Sequence, residues 1–257
     1  MPLKYISKFQ LKPGTWVFVP NSNSIEKGKS IKSSIEKKWK APKNYFHLRK
    51  GGHVEALKSH LNNSSFIHLD IENFFGSINK SRVTRCLTEF FPYNLAREMT
   101  NDSIEKHPQK KNYILPFGFV QSPIIASLCL DKSGLGTFLK KLSNRTDIVV
   151  SVYVDDIIIS AKDHSVLADI LISIKNKADK AGFHLNEKKE EGPSIKITAF
   201  NIELSEGSVF ITTQRMQQLK ESFEQSESDH QKNGILGYIQ TVNELQKNDI
   251  TLIPNSS

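Results

Sequence analysis

The chain has 257 residues, 38% of them hydrophobic and 24% charged, which is enough for a substantial core in one domain or two intimately packed ones. Its net charge is +8, and residues 1–60 carry 13 Lys and Arg against 3 Asp and Glu, so the positive excess sits at the front of the chain and suits a polyanionic partner. Two isolated cysteines, Cys86 and Cys129, exclude a disulfide framework or a zinc cluster, and no apolar run approaches the roughly 18 residues that span a bilayer. The N-terminus lacks the long apolar stretch of a secretory signal, so the expected setting is the cytoplasm, with no membrane partner.

In chain order, residues 11–31 hold Pro13-Gly14, Pro20-Asn21-Ser22-Asn23-Ser24 and Lys27-Gly28-Lys29, a turn-rich basic stretch around one short strand, Trp16–Val19. Val54, Leu57 and Leu61 are spaced as on one face of a helix, and Ser65–Asp70 is an apolar strand that ends in an aspartate. Val83, Leu87, Phe90 and Phe91 predict a helix over residues 81–91, stopped by Pro92. Ser122-Pro123 opens another helix, with Ile124, Ile125, Leu128 and Leu130 toward the core. The β-branched runs 148–152 and 157–159 flank Tyr153-Val154-Asp155-Asp156 and predict a tight hairpin. An amphipathic helix over 166–181, closed by Gly182, strands over 195–204 and 208–212, and helices over 215–223 and 234–245 complete an α+β pattern.

Adjacent aspartates beside apolar strands repel each other and resist desolvation, so such a pair needs a cation, and an all-oxygen set suits magnesium. Alone, Asp155-Asp156 is also compatible with an ordinary Asp-rich turn. Asp70 ends a similar strand 85 positions earlier, and one carboxylate from each strand would bracket two cations about 3.5–4 Å apart, the arrangement of in-line nucleotidyl displacement.

These residues resemble the palm motifs of reverse transcriptases, in particular bacterial ones of the retron-like and phage-defence groups. Motif A is residues 66–78, with Asp70 and Phe75; motif B is Leu115-Pro116-Phe117-Gly118-Phe119-Val120-Gln121-Ser122-Pro123, with Phe117 where the family carries Gln. Motif C is Tyr153-Val154-Asp155-Asp156, motif D is Ala181 to Lys189, and Phe46 to His53 is similar to the fingers segment before motif A. The five motifs stand in the family's order across about three fifths of the chain.

The resemblance implies a right-hand polymerase: basic fingers over 1–65, an antiparallel-sheet palm over 66–206 (part of 85–120 joining the fingers), and a short helical thumb over 207–257. It implies two magnesium ions, replaceable by manganese, on Asp70, the Ile71 carbonyl, Asp155 and Asp156. Lys189 becomes the general acid for pyrophosphate, with Lys188 the alternative one register away, and Phe75 the gate against a ribose 2′-hydroxyl. Arg49 and Lys50 before Gly51-Gly52 would hold the triphosphate, and Gly118, Gln121 and Tyr153 would line the nucleotide site. The implied substrates are template RNA, primer and dNTPs, and the implied partners are a dedicated non-coding RNA and a partner protein. A template-independent or protein-primed nucleotidyltransferase and a catalytically silent RNA-binding scaffold stay open. His53 and His60 lack nearby acidic or Cys co-ligands and read as packing or RNA-contacting residues.

Overall fold

In the computed structural model, which describes residues 3–12 and 14–251, the chain opens with an antiparallel hairpin of β1 (Tyr5–Lys12) and β2 (Thr15–Pro20). Helix α1 (Ser22–Lys38) follows, so the stretch expected to be turn-rich with one short strand is a hairpin and then a 17-residue helix. The Asn21 side chain caps it by accepting the Ser24 N–H at 2.9 Å, and Ser24, Gly28, Ile31 and Ile35 form its buried face. Two of those four are small or polar, which hides the helical period from a hydrophobicity reading. Strand β1 escapes notice for a different reason: Ile6, Phe9 and Leu11 are all exposed, so no apolar-in, polar-out alternation marks it.

A short 3₁₀ turn over Phe46–Leu48 leads to α2 (Gly52–Lys58) and β3 (Ser65–Asp70), every residue of which is buried. After a second 3₁₀ turn, Phe75–Ser77, come α3 (Lys80–Leu87), α4 (Tyr93–Ser103) and a two-residue ribbon of β4 (Glu105–Lys106) and β5 (Tyr113–Ile114). Helix α5 (Ser122–Asp131) starts with proline in its first turn and is buried at eight of its ten positions; α6 (Gly134–Ser143) packs on it. The hairpin β6 (Ile148–Tyr153) and β7 (Asp156–Ala161), helix α7 (His164–Lys180) and β8 (Glu191–Ser194) complete the centre.

The four central strands form one antiparallel sheet in the order β6-β7-β3-β8. Side chains alternate across it. Ile67, Leu69, Val150, Val152, Ile157 and Ile159 face a core shared with α5, α6 and α7, while Phe66 and Ile158 face a second core built with α2. Fully burying each such side chain stabilises the fold by about 1.5–3 kcal/mol, which makes this two-sided sheet a stiff base for whatever stands at its end.

The second core also holds a three-stranded meander of β9 (Lys196–Ala199), β10 (Ile202–Ser205) and β11 (Ser208–Ile211), and the helices α8 (Thr213–Gln225), α9 (Asp229–Val242) and α10 (Glu244–Thr251). Residues 195–204, expected as one strand, are two strands, because Phe200 and Asn201 take φ of 57° and 61° and reverse the chain. The helix expected over 234–245 is likewise two, α9 and α10, broken at Asn243. The architecture is the expected α+β one. Among the described residues no helix is long and apolar enough to cross a membrane.

Candidate active site

Strand pairing brings the acids together. Asp70, the last residue of β3, lies directly opposite Asp156, the first of β7, and Tyr153 pairs with Asp156 so that Val154-Asp155 form a two-residue turn at the sheet's end. Val154 has φ of 59°. A β-branched residue in the left-handed region costs on the order of 1–3 kcal/mol and persists only when its surroundings hold it. Three contacts do so: Val154 N–H donates to His47 Nδ1 at 3.0 Å, Val152 N–H to the Asn44 carbonyl at 2.8 Å, and Ile71 N–H to the Asp155 carbonyl at 2.9 Å. His47 Nε2 donates to Ser127 Oγ at 2.6 Å, and that hydroxyl donates to the Pro123 carbonyl at 2.8 Å on α5. Burial pushes the His47 pKa down to about 4, so its Nδ1 stays an acceptor at neutral pH.

Each carboxylate has a different surrounding. Asp70 accepts from Lys189 Nζ at 2.8 Å and from Asn186 Nδ2 at 3.3 Å, and its own carbonyl accepts Asn186 N–H at 2.9 Å. The Lys189 ammonium is held protonated by Asp70, which raises its pKa. Asp156 is engaged by His68, whose Nε2 lies 2.8 Å from Oδ1. Asp155 has no such partner among the described residues, and burial, then Asp156 and Asp70, push its pKa up to about 6.

Among the described residues no three or more His, Cys, Asp or Glu side chains form a ready metal cluster. Asp156 is engaged by His68 and Asp70 by Lys189. The donor chemistry nevertheless fits a hard cation. Asp155 resists ionising without one, Lys189 already places a positive charge on Asp70, and the anti bridge of Ile71 with Leu185 is closed by the N–H groups of Glu72 and Asn186, leaving the Ile71 carbonyl oxygen outside it.

Asp70, Ile71 and Asp155 lie at the floor of a cleft of about 550 Å³. Phe75 and Phe117 line it, edge to face with ring centroids 5.4 Å apart, as do the exposed Lys12 and Lys110 and the buried His107. Phe74 is the core member of its pair, 2% exposed and packed on Phe183.

A family model described as reverse transcriptase (RNA-dependent DNA polymerase) matches residues 6–233 of the chain. The chain belongs to the reverse transcriptase family. Two solved structures carry the same fold at low identity. A foamy viral protease-reverse transcriptase in complex with double-stranded DNA superposes with a TM-score of 0.50 at 17% identity, covering 90% of this chain and 34% of the other. Telomerase from Candida albicans, in complex with a fragment of telomeric RNA, superposes with a TM-score of 0.52 at 11% identity, covering 90% of this chain and 48% of the other. The chain thus spans between a third and a half of the length of these relatives.

Several residues expected in the nucleotide site are not among those that line this cleft. Arg49 donates to the Lys43 carbonyl at 2.8 Å and lies over the Phe46 ring at 4.6 Å, and Lys50 is exposed beside it; neither lines the cleft. The Gly51-Gly52 pair starts α2, with Gly51 at φ 94°, rather than forming a phosphate loop. Gln121 is 1% exposed and donates to the Asp102 carbonyl and Ser103 Oγ, both at 3.3 Å, against Gly28 of α1; it joins three helices and does not face the cleft. Tyr153 packs on His47, His53 and Phe200 at 5.2–5.9 Å. His53 is a packing residue there, and His60 is buried between Ser160 Oγ at 2.7 Å and Ser151 Oγ at 2.8 Å. Gly118 has φ of 107° and lies so close to the Phe18 carbonyl that a Cβ would sit 2.3 Å from it, which locks the backbone after Phe117 to β2.

Sequence reasoning missed Lys12, Lys110, His47 and Asn186. Lys12 stands between Leu11 and Pro13 and Lys110 in the pair Lys110-Lys111, with nothing to single either out. Asn186 lies within the motif D resemblance, and its polar side chain just before the lysines was the available signal.

Proposed function

We propose that the chain is an RNA-directed DNA polymerase that joins dNTPs to a primer 3′-hydroxyl. The observation that carries this reading is the meeting of Asp70 and Asp155 at the end of a rigid antiparallel sheet, on the floor of a cleft walled by Phe75 and rimmed by Lys12 and Lys110. Asp70, Asp155 and the Ile71 carbonyl would hold magnesium, with Asp156 supporting them through its charge. Two such ions would lower the pKa of the primer hydroxyl and offset charge on the triphosphate.

The chain's own groups divide the remaining work. Lys12 and Lys110 draw the triphosphate to the rim, a role the sequence had given to Arg49 and Lys50. Phe75 occupies the space that a ribose 2′-hydroxyl would need. Lys189, kept protonated beside Asp70, is the proton source nearest the departing pyrophosphate. In this reading residues 1–65 act as fingers, 66–206 as palm and the segment from 207 as a thumb, whose last six residues lie outside the described residues. The foamy viral and telomerase relatives are seen with DNA or RNA, which supports a template and primer as ligands. A cytoplasmic bacterial defence or retron-like setting, with a dedicated RNA and a partner protein, follows from the motif resemblance.

A second reading, template-independent or protein-primed synthesis, is favoured by one observation: the motif B position nearest Phe75 carries an aromatic ring with no hydrogen-bonding group. Primer extension with magnesium separates the cases. Incorporation of dNTPs that requires an RNA template and vanishes in Asp155→Asn supports the first reading; equal incorporation without template supports the second. No incorporation of any nucleotide under either condition refutes both.

A further inference from the structure

We infer that the outer edge of β6 is a docking site for an acidic, extended peptide segment of a partner protein, which would join the central sheet as a further strand. The inference does not rest on the polymerase reading, because it concerns the end of β6 opposite the Asp155 turn. Strand β6 is the last on its side of the sheet. Its Val152 N–H turns away from β7 to the Asn44 carbonyl at 2.8 Å. In an antiparallel pair alternate residues share that outward direction, so Val150 and Ile148 also aim their N–H and C=O groups away from β7. Neither residue has a backbone partner on that side among the described residues. The segment that meets Val152 bends off before it could pair with them: Tyr45 N–H donates to the Pro42 carbonyl at 3.0 Å, and a cavity of about 420 Å³ opens beside the strand.

The lining of the cavity defines what fits. Phe46, Ile148 and Val150 supply apolar surface, the exposed Lys43 and Lys140 supply positive charge, and no acidic residue is among those that line it. Asn44 lines it too, is 8% exposed, and has its Nδ2 buried with no hydrogen-bond partner among the described residues. A buried donor left unpaired is costly, and a carbonyl or carboxylate oxygen entering the cavity would relieve it. Arg49 braces the site by donating to the Lys43 carbonyl and lying over the Phe46 ring. An added strand answers every one of these groups: it presents alternating N–H and C=O groups to Ile148 and Val150, apolar side chains to the lining, and acidic ones to the lysines. At about 3.3 Å per residue, the open edge pairs with roughly three residues of the partner. A phosphate backbone would satisfy Asn44 and the lysines, yet it has no donor for the outward carbonyls, so the edge favours a peptide.

The test is binding of a fluorescein-labelled hexapeptide of alternating Glu and Val to the full chain, followed by fluorescence anisotropy and by amide hydrogen exchange. Saturable binding is expected, with exchange slowed at the Ile148 and Val150 amides. Methylating the peptide nitrogens on its pairing edge, or exchanging its Glu for Lys, should weaken binding by about tenfold or more. The double variant Lys43→Glu/Lys140→Glu should do the same, and because both lysines are exposed its thermal melt should match that of the wild type. Asn44→Ala should weaken binding by about fivefold. No binding, a methylated peptide that binds as well as its parent, or protection that falls elsewhere than on Ile148 and Val150 overturns the inference. An oligouridylate whose binding, rather than the peptide's, is lost in the double variant also overturns it, since the lysines would then serve a phosphate backbone. Primer extension is not read in any of these measurements, so the polymerase reading stands or falls separately.

Discussion

His47 holds the acid-bearing turn in a conformation that its own residues disfavour, and its removal should therefore lower turnover more than it lowers nucleotide affinity. In His47→Ala, Val154 N–H loses its acceptor at 3.0 Å and Ser127 Oγ loses its donor at 2.6 Å. A buried donor left unpaired costs about 1–3 kcal/mol, and the left-handed Val154 adds strain of similar size that is now free to relax. If the turn relaxes, Asp155 leaves its place in the turn beside Asp70. At tenfold per ~1.4 kcal/mol, kcat should fall by about 10–100-fold. His47→Asn keeps an acceptor close to the Nδ1 position and should recover most of that loss. Val154→Gly placed on His47→Ala should recover part of it, since glycine takes positive φ without strain. The assay is single-turnover primer extension, with thermal melts run in parallel. Full turnover in His47→Ala, or His47→Asn no better than His47→Ala at equal stability, would refute the role given to this histidine.

Lys189→Ala should show opposite effects in two measurements: tighter binding of Mn²⁺ by electron paramagnetic resonance titration, because no ammonium competes for Asp70 at 2.8 Å, and a lower kcat, because the proton source is gone. Lys12→Ala and Lys110→Ala should each raise the KM for dNTP several-fold in steady-state extension, whereas Arg49→Ala, which sits on Phe46 outside the cleft, should leave it unchanged; the reverse pattern would restore the motif-based assignment. His60 provides a pH prediction. Burial pushes its pKa down to about 3, so the unfolded chain takes up a proton that the folded chain refuses once the pH drops below about 6.5, and stability is lost progressively from there toward pH 3. Denaturant melts at pH 6.5 and 4.5 should differ by about 2 kcal/mol from this residue, and His60→Gln should remove that part; an unchanged pH slope would show that His60 carries no such linkage.

Local signals were strong wherever the chain is apolar with a clean period. Strand β3, the β6–β7 hairpin, α5 and α7 follow from alternation or from three- and four-residue spacing. They were weak where small residues make the contacts. Helix α1 buries Ser24 and Gly28, and α6 opens on Gly134 and Gly136, the latter pressed against the Leu130 carbonyl, so neither helix shows an apolar stripe at its start. The ribbon of β4 and β5 is too short to have a period at all.

That Asp70 and Asp155 end apolar strands, with Phe75 five residues after the first, is legible from residue order alone, because strand alternation and turn chemistry act over a few residues. What each group does there was settled by packing. His68, two positions before Asp70 on the same sheet face, takes Asp156; Lys189, 119 positions away, takes Asp70; Arg49 and Gln121 are bound into the scaffold while Lys12 reaches the cleft. A carboxylate's freedom to hold a cation depends on which donors lie within about 3 Å of it, a distance set by packing among remote segments rather than by order along the chain.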